Sequence, residues 1–538
     1  MILSMRWLLL GPLLGVATLA VGCSSPTPTP TATRTPTPVV TPSPPPPGTL
    51  RVGMTGAQSN MDVQQNVSEW ATIFGPGVAH SRLLRFASGP DVALPSMRVE
   101  CDLCREWETP DNRTYVFHLD TNARWHDVAP VSGRQVTADD VVSSLERLRS
   151  EDGPNAMLLD AVDAIVAVDA ATVRLTLYYP DADLPQKLAN PHAVIVAQEL
   201  VDGNRLRIEP VIGSGPWTMD RLRSGQVNFD VVENYRRAGV PAVGHVIMTP
   251  VGGSGASVSA MLGGEIDIGQ VTEEEWLIVE KEGFLSVLTP RQGIGALLAV
   301  NTQRPPFDDL DVRRTLFLAL DPLAGREQVW GATAYSAMGV PVVEADWLLE
   351  PERFTSYFAQ QNEARSLLEA ASPSVERITL TVANFGQKYL DYSDVVAGQL
   401  RDVGFDVTLE VLSRADYLAN VWRNRDFQVF VGPLPPTSTT NDFLLSLLHS
   451  QGQWNITGVV DVELDRLIGA QSVESDVQAR GVLVRQIQER VLSQGLLFMP
   501  AITIERWAYS TRVTGFHLNL AGGQGSFWES VGIIEGGA

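Results

Sequence analysis

Ten of the twenty-five residues from Ser24 to Gly48 are prolines and seven are threonines, ending in the run Pro44-Pro45-Pro46-Pro47. Proline has no backbone N–H to give to a helix or a sheet, and a segment this rich in it extends as polyproline II at about 3.1 Å per residue. It has nothing to bury, so it divides the chain. Ordered structure is expected to begin near Gly48, with Thr49-Leu50-Arg51-Val52-Gly53-Met54 as a first strand. Upstream, Arg6 is followed by an apolar run from Trp7 to Val21, short of the roughly 20 residues that a membrane span needs. A positive start, a short apolar core and small residues after it read as a signal peptide over residues 1–22.

The end of that run, Ala20-Val21-Gly22-Cys23, resembles the lipobox of bacterial lipoproteins, with Ala20 where Leu is usual. The resemblance implies that Cys23 is lipidated and becomes the mature N-terminus. Residues 23–48 are then a tether holding a folded body off a membrane surface. Ordinary secretory cleavage beside an incidental cysteine is the alternative.

The body has the make-up of a globular protein, 44% apolar and 19% charged over the whole chain. Length alone suggests about three domains or lobes. With 40 basic against 62 acidic side chains the net charge is −22, which argues against a nucleic-acid partner, because phosphate neutralisation needs clustered Lys and Arg. Three cysteines exclude a disulfide scaffold and a four-cysteine zinc site. Alternation predicts strands at 114–119 and 172–177. Thr137-Ala138-Asp139-Asp140 caps a helix over 141–148, Val312 to Leu320 reads as an amphipathic helix ending at Asp321-Pro322, and Val477 to Leu492 as another with Val482, Ile487 and Val491 inward. Mixed helices and strands over nearly the whole body predict an α/β protein in large lobes.

Trp107 to Arg147 carries a recognisable series: Trp107, Tyr115-Val116-Phe117-His118-Leu119, Trp125-His126-Asp127 and Thr137-Ala138-Asp139-Asp140-Val141-Val142. Downstream follow Ile212-Gly213-Ser214-Gly215-Pro216-Trp217, Gly264-Glu265-Ile266-Asp267-Ile268, Asn301 with Pro305-Pro306-Phe307-Asp308, and Gln399-Leu400 with Val403-Gly404-Phe405. In this order the pieces resemble the bacterial extracellular solute-binding proteins, family 5, of the oligopeptide, dipeptide and nickel-binding type. The resemblance covers about 49–520. It departs at Val128, where the family has Gly, and in the extra residues Ala129 to Gly133.

The resemblance implies a two-lobed clamp of the periplasmic-binding-protein kind, with an inserted domain and strands crossing at a hinge. Residues 49–78, 211–295 and 500–538 make the first-lobe domain, 79–210 its insertion and 296–499 the ligand-closing lobe. The implied function is capture of a small solute, a peptide or another organic ligand, for delivery to an ABC permease, by a monomer outside the cytoplasm. Two other functions stand beside it: a sensor for a membrane signalling protein, and a secreted hydrolase. Gly213 and Gly215 suit a tight turn through positive φ. By family register the ligand walls are Asn60, Trp217, Asn384, Phe385, Thr437, Trp454 and Asn455.

The residues offer little to an enzyme. Seven histidines show no HExxH and no close ligand spacing, so no metal and no cofactor is expected. His126 is expected to hold a structural hydrogen bond. Ser254 in Gly252-Gly253-Ser254-Gly255-Ala256 lacks the last glycine of a nucleophile elbow. Cys101-Asp102-Leu103-Cys104 is a redox pair, a metal pair or, outside the cell, a local disulfide. Peptide-binding relatives hold the ligand's ammonium with an aspartate after a second-lobe strand. Here Pro433-Leu434-Pro435-Pro436-Thr437-Ser438-Thr439-Thr440 contains no acid, and Thr437 falls at the aspartate's place. An ammonium buried without a carboxylate costs several kcal/mol, which predicts a ligand other than an ordinary free peptide unless Asp442 moves in.

Overall fold

The computed structural model describes residues 48–534 apart from 55, 151–152, 222–223, 253–254, 343, 371–376, 435–438, 520–522 and 524. The readings of the signal peptide, the tether, Cys23, Ser254 and Thr437 lie outside the described residues.

The first strand is Thr49–Met54, with Leu50, Val52 and Met54 buried. It pairs in parallel with His245–Pro250 on one side and with Ile268–Val271 on the other. The main sheet runs in the order Asp406–Leu412, Arg377–Ala383, Val429–Pro433, Leu285–Val300, Leu497–Tyr509, Ile268–Val271, Thr49–Met54, His245–Pro250, Val227–Val231 and Trp217–Arg221. Leu285–Val300 and Leu497–Tyr509 lie antiparallel along their whole length, from Leu285 opposite Tyr509 to Ala299 opposite Leu497. The register breaks between Pro290 and Gly295. These two long strands carry the sheet from one lobe into the other. At the break a side chain on Gly295 would place its Cβ 2.1 Å from the carbonyl oxygen of Ala501, so only glycine lets the strands approach this closely.

The inserted region forms a second sheet of Cys104–Asp111, Thr114–Leu119, Thr172–Leu177 and Val162–Asp169 in that order. Helix Ala138–Leu148 packs on it. Thr137 and Asp140 close a capping box at its start, as the local sequence predicts. Cys101 and Cys104 are disulfide-bonded with Cα atoms 5.0 Å apart, and the intervening Asp102 pairs with the buried Arg236.

Helix Val477–Ser493 differs from its predicted facing. Val482 is 46% exposed, while Val484, Ile487 and Val491 are buried. At 100° per residue Val482 cannot share a stripe with Ile487 and Val491. The stripe instead begins at Arg480, a charged residue in a core position. Arg480 and Asp183, with side chains 4% and 1% exposed, form an ion pair between the second lobe and the inserted region. Asp183 Oδ2 also accepts from the Asn441 backbone N–H, and Gln471 joins Arg480 to Asn441 at 2.7–3.1 Å. Ala182 N–H donates to Ser472 O at 2.9 Å, completing this contact away from the crossing strands.

The Gly213-Ser214-Gly215 turn also departs from expectation. Neither glycine has positive φ. A Cβ on Gly213 would sit 1.9 Å from Ala79 O, and one on Gly215 would sit 2.8 Å from the same atom. Close backbone approach, not handedness, is the reason for glycine. His126 locks the turn, accepting from Gly213 N–H on Nδ1 and reaching Gly215 O with Nε2, both at 3.2 Å. Gly213→Ala is therefore expected to lower stability by about 1–3 kcal/mol, because the opposing atom is backbone and cannot yield. Urea unfolding measures this, and an unchanged midpoint contradicts it.

Candidate functional site

Strand directions locate the crevice. Thr49–Met54 is parallel to Ile268–Val271, which is antiparallel to Leu497–Tyr509. Thr49–Met54, His245–Pro250 and Ile268–Val271 therefore run the same way as Leu285–Val300 and end facing the crossing, while Val227–Val231 runs the other way. Val429–Pro433 is antiparallel to Leu285–Val300, with Val429 opposite Val300 and Pro433 opposite Ala296. Arg377–Ala383 and Asp406–Leu412 run parallel with it. The second-lobe strands thus end facing the same crossing from the other side. In open α/β sheets ligands bind outside the carboxyl ends of the strands. Here two sets of such ends converge on one hinge.

On the second-lobe side these ends carry Asn384, Phe385 and Arg414. Asn384 is exposed and Phe385 half-buried. Phe385 meets Tyr417 edge-on at 5.6 Å, and the Arg414 guanidinium lies 5.0 Å over the Phe385 ring. Arg414 is exposed, and among the described residues its guanidinium meets the Phe385 ring and no carboxylate. Tyr417 donates to Pro433 O at 2.8 Å, and Tyr389 to Gly295 O at 3.3 Å at the strand break. Burial pushes both phenols up, so they remain neutral hydrogen-bonding groups at ordinary pH. On the first-lobe side Arg506 reaches Glu273 at 2.9 Å and Ser286 at 2.9 Å and lies over Trp276.

The predicted walls divide. Asn60 follows the first strand, toward the crevice, yet its amide is bound into its own loop by Asp62 N–H and Gln65 O. Trp454 is 38% exposed and continues the aromatic series from Phe385 through Tyr417 and Trp422. Two readings need correction. Trp217 is 1% exposed in the first-lobe core, and its register through Val231 places it level with the start of the first strand, far from the crossing. Its large apolar ring is core, not wall. Asn455 is buried, its amide bonded to Val459 O and the Thr457 hydroxyl, so it holds a turn.

Arg414 and Tyr417 were not singled out from the sequence. A signal existed: Ser413 follows strand Asp406–Leu412 directly and caps the next helix through Asp416 N–H, and such strand-to-helix turns are where these sheets bind ligands. Among the described residues no group of three or more His, Cys, Asp or Glu side chains is placed to hold a metal ion.

Comparison with known proteins agrees with this geometry. The family model described as bacterial extracellular solute-binding proteins, family 5, middle, matches residues 98–455. The probable ABC transporter periplasmic-binding protein SapA of Escherichia coli is 24% identical over 468 residues, covering 80% of this chain and 84% of the relative. The probable di/tripeptide-binding protein 5 of Pseudomonas aeruginosa is 24% identical over 509 residues, covering 88% and 94%. The unliganded open form of the murein tripeptide-binding protein MppA superposes with a TM-score of 0.79 at 20% identity, covering 90% of this chain and 97% of that one. The fold is the two-lobed clamp of these binding proteins.

Proposed function

The chain belongs to the bacterial extracellular solute-binding proteins, family 5, a solute-binding and non-catalytic family, and from that membership we propose that it captures a small peptide or peptide-like solute between its lobes for an ABC importer. The convergence of strand ends from both lobes on one crossing carries the reading, because a ligand there is desolvated on two sides when the lobes close. The protein acts outside the cytoplasm, as a monomer, and catalyses no reaction on what it binds. Residues 49–78, 211–295 and 500–538 serve as the first-lobe domain, 79–210 as its insertion and 296–499 as the closing lobe.

The walls we assign are Phe385, Asn384, Trp454, the loop of Asn60 and, from its place in the sequence, Thr437. Arg414 is the cation that a ligand carboxylate meets, since an unpaired guanidinium on an aromatic face is available for a charge-assisted hydrogen bond. The acid-free segment 433–440 gives no partner to a free ammonium, so the ligand's amino end is not its handle. A thermal-shift panel of short peptides and their N-acetylated forms tests this. A ligand at 100 times its dissociation constant adds about 2.7 kcal/mol of stability, and the acetylated forms are expected to stabilise equally. Loss of the shift on acetylation would show an amine pocket. Arg414→Ala is expected to weaken a carboxylate-bearing ligand about tenfold, consistent with a charged hydrogen bond of about 1.5–3 kcal/mol. Unchanged affinity in Arg414→Ala and Phe385→Ala removes the site.

Cys23 is the lipid anchor. One acyl chain binds a membrane only marginally, and lipoprotein modification supplies more than one. Cys23→Ser protein is expected in the soluble fraction after a high-salt wash; retention with membranes contradicts the anchor.

A further inference from the structure

Beside the Asp183–Arg480 contact, between the inserted region and the second lobe, lies a cavity of about 650 Å³. Its size is that of a small-molecule site, and none of its walls comes from the crossing strands or from the strand ends around them. Trp107, packed on Phe117, supplies aromatic surface, and Trp347 lies in the wall beneath the Arg480 guanidinium, 5.2 Å from its ring. Among its charged residues Asp91, Glu344, Asp346 and Glu474 outnumber Arg98 and Arg480, and Arg480 is already neutralised by Asp183. Gln186 lies in the wall, and its amide oxygen is buried with no donor. Leaving such an acceptor unpaired costs about 1–3 kcal/mol. Glu344 accepts from the Ser96 hydroxyl at 3.1 Å, and burial pushes its carboxyl up to about 7.

We infer that this cavity is a second ligand site, distinct from the crevice at the crossing, that takes a small organic amine with an aromatic or apolar body. The surplus of carboxylates and the unpaired Gln186 oxygen both call for a donor-rich cation, and the tryptophans for the body that carries it. A ligand there touches both lobes, so it also couples to their relative position.

Calorimetric titration of the full chain with phenethylamine, and with phenylacetate as the charge-reversed control, tests the assignment. Phenethylamine is expected to bind at one site at least tenfold more tightly than phenylacetate. Glu344→Gln and Gln186→Lys, the second placing an ammonium in the cavity, are each expected to weaken it at least tenfold while the unfolding midpoint shows both variants folded. Arg414→Ala, at the crossing, should leave amine binding as it was. No binding of the amine, equal binding of the acid, or unchanged affinity in both cavity variants each overturns the proposal without bearing on solute capture at the crossing; loss in Arg414→Ala overturns it by placing the amine at the crossing itself.

Discussion

Asp183→Ala is expected to cost about 3–5 kcal/mol of stability, the range for removing one partner of a buried ion pair. The loss comes less from the missing attraction than from what is left behind. Arg480 is 4% exposed on its side chain and keeps the amide oxygen of Gln471, the Ala182 carbonyl at 3.4 Å and the face of Trp347, but no carboxylate. Asn441 N–H loses its acceptor as well. The paired replacement Asp183→Leu with Arg480→Met is expected to recover most of the loss, since replacing both charges by apolar groups is often neutral or stabilising. Denaturant unfolding of the three proteins measures this. A single-variant loss under about 1 kcal/mol would mean that the lobes do not depend on this contact.

The second large effect is a loss of stability in acid. Burial holds His80 and His126 neutral, lowering both from 6.5 to about 4, and lowers His192 in the same direction. A histidine whose folded pKa lies below its unfolded value binds fewer protons when native. Its contribution is complete above 6.5 and is lost as pH falls from 6.5 to about 4. Each of the two amounts to about 3 kcal/mol at about 1.36 kcal/mol per pH unit. Glu344 opposes them: raised from 4.5 to about 7, it favours the native state in acid and loses that contribution as pH rises through the same interval. Of the groups given a value, two histidines against one carboxyl leave a loss of about 3 kcal/mol between pH 7 and pH 4, to which His192 adds and which Asp181, raised by burial, opposes. Unfolding free energies across that range give the slope; His126→Gln should flatten it and Glu344→Gln should steepen it. A flat profile in the unsubstituted protein refutes the account.

What could be read from the sequence followed the range of the interactions involved. The strand at Thr49–Met54 and the capping box of Thr137 and Asp140 are local, settled by alternation and by a side chain reaching three residues on, and both stand as read. The facing of Val482 was misjudged because the true stripe starts with Arg480, and nothing local says that a guanidinium will be buried when its partner lies 297 positions away at Asp183. Trp217 and Gly213 share that difficulty. A tryptophan beside a turn reads equally as wall or core until the sheet register is known, and the contact that demands glycine comes from Ala79, far off in sequence. The crevice itself was legible only through the family resemblance, because the convergence of strand ends depends on pairings such as Pro433 with Ala296.

The pairings also fix the order in which the halves can be completed. The sheet of the second lobe is drawn from one stretch of chain, with Leu285–Val300, Arg377–Ala383, Asp406–Leu412 and Val429–Pro433 all available before the returning strand emerges. The first lobe is not: Ile268–Val271 needs Leu497–Tyr509 as its neighbour, more than two hundred residues later. Such non-local closure is slow, since the loop entropy is lost before the contacts form. A chain emerging amino end first therefore carries Ile268–Val271 as an open sheet edge, a template for pairing with other chains, until Leu497–Tyr509 arrives to cover it.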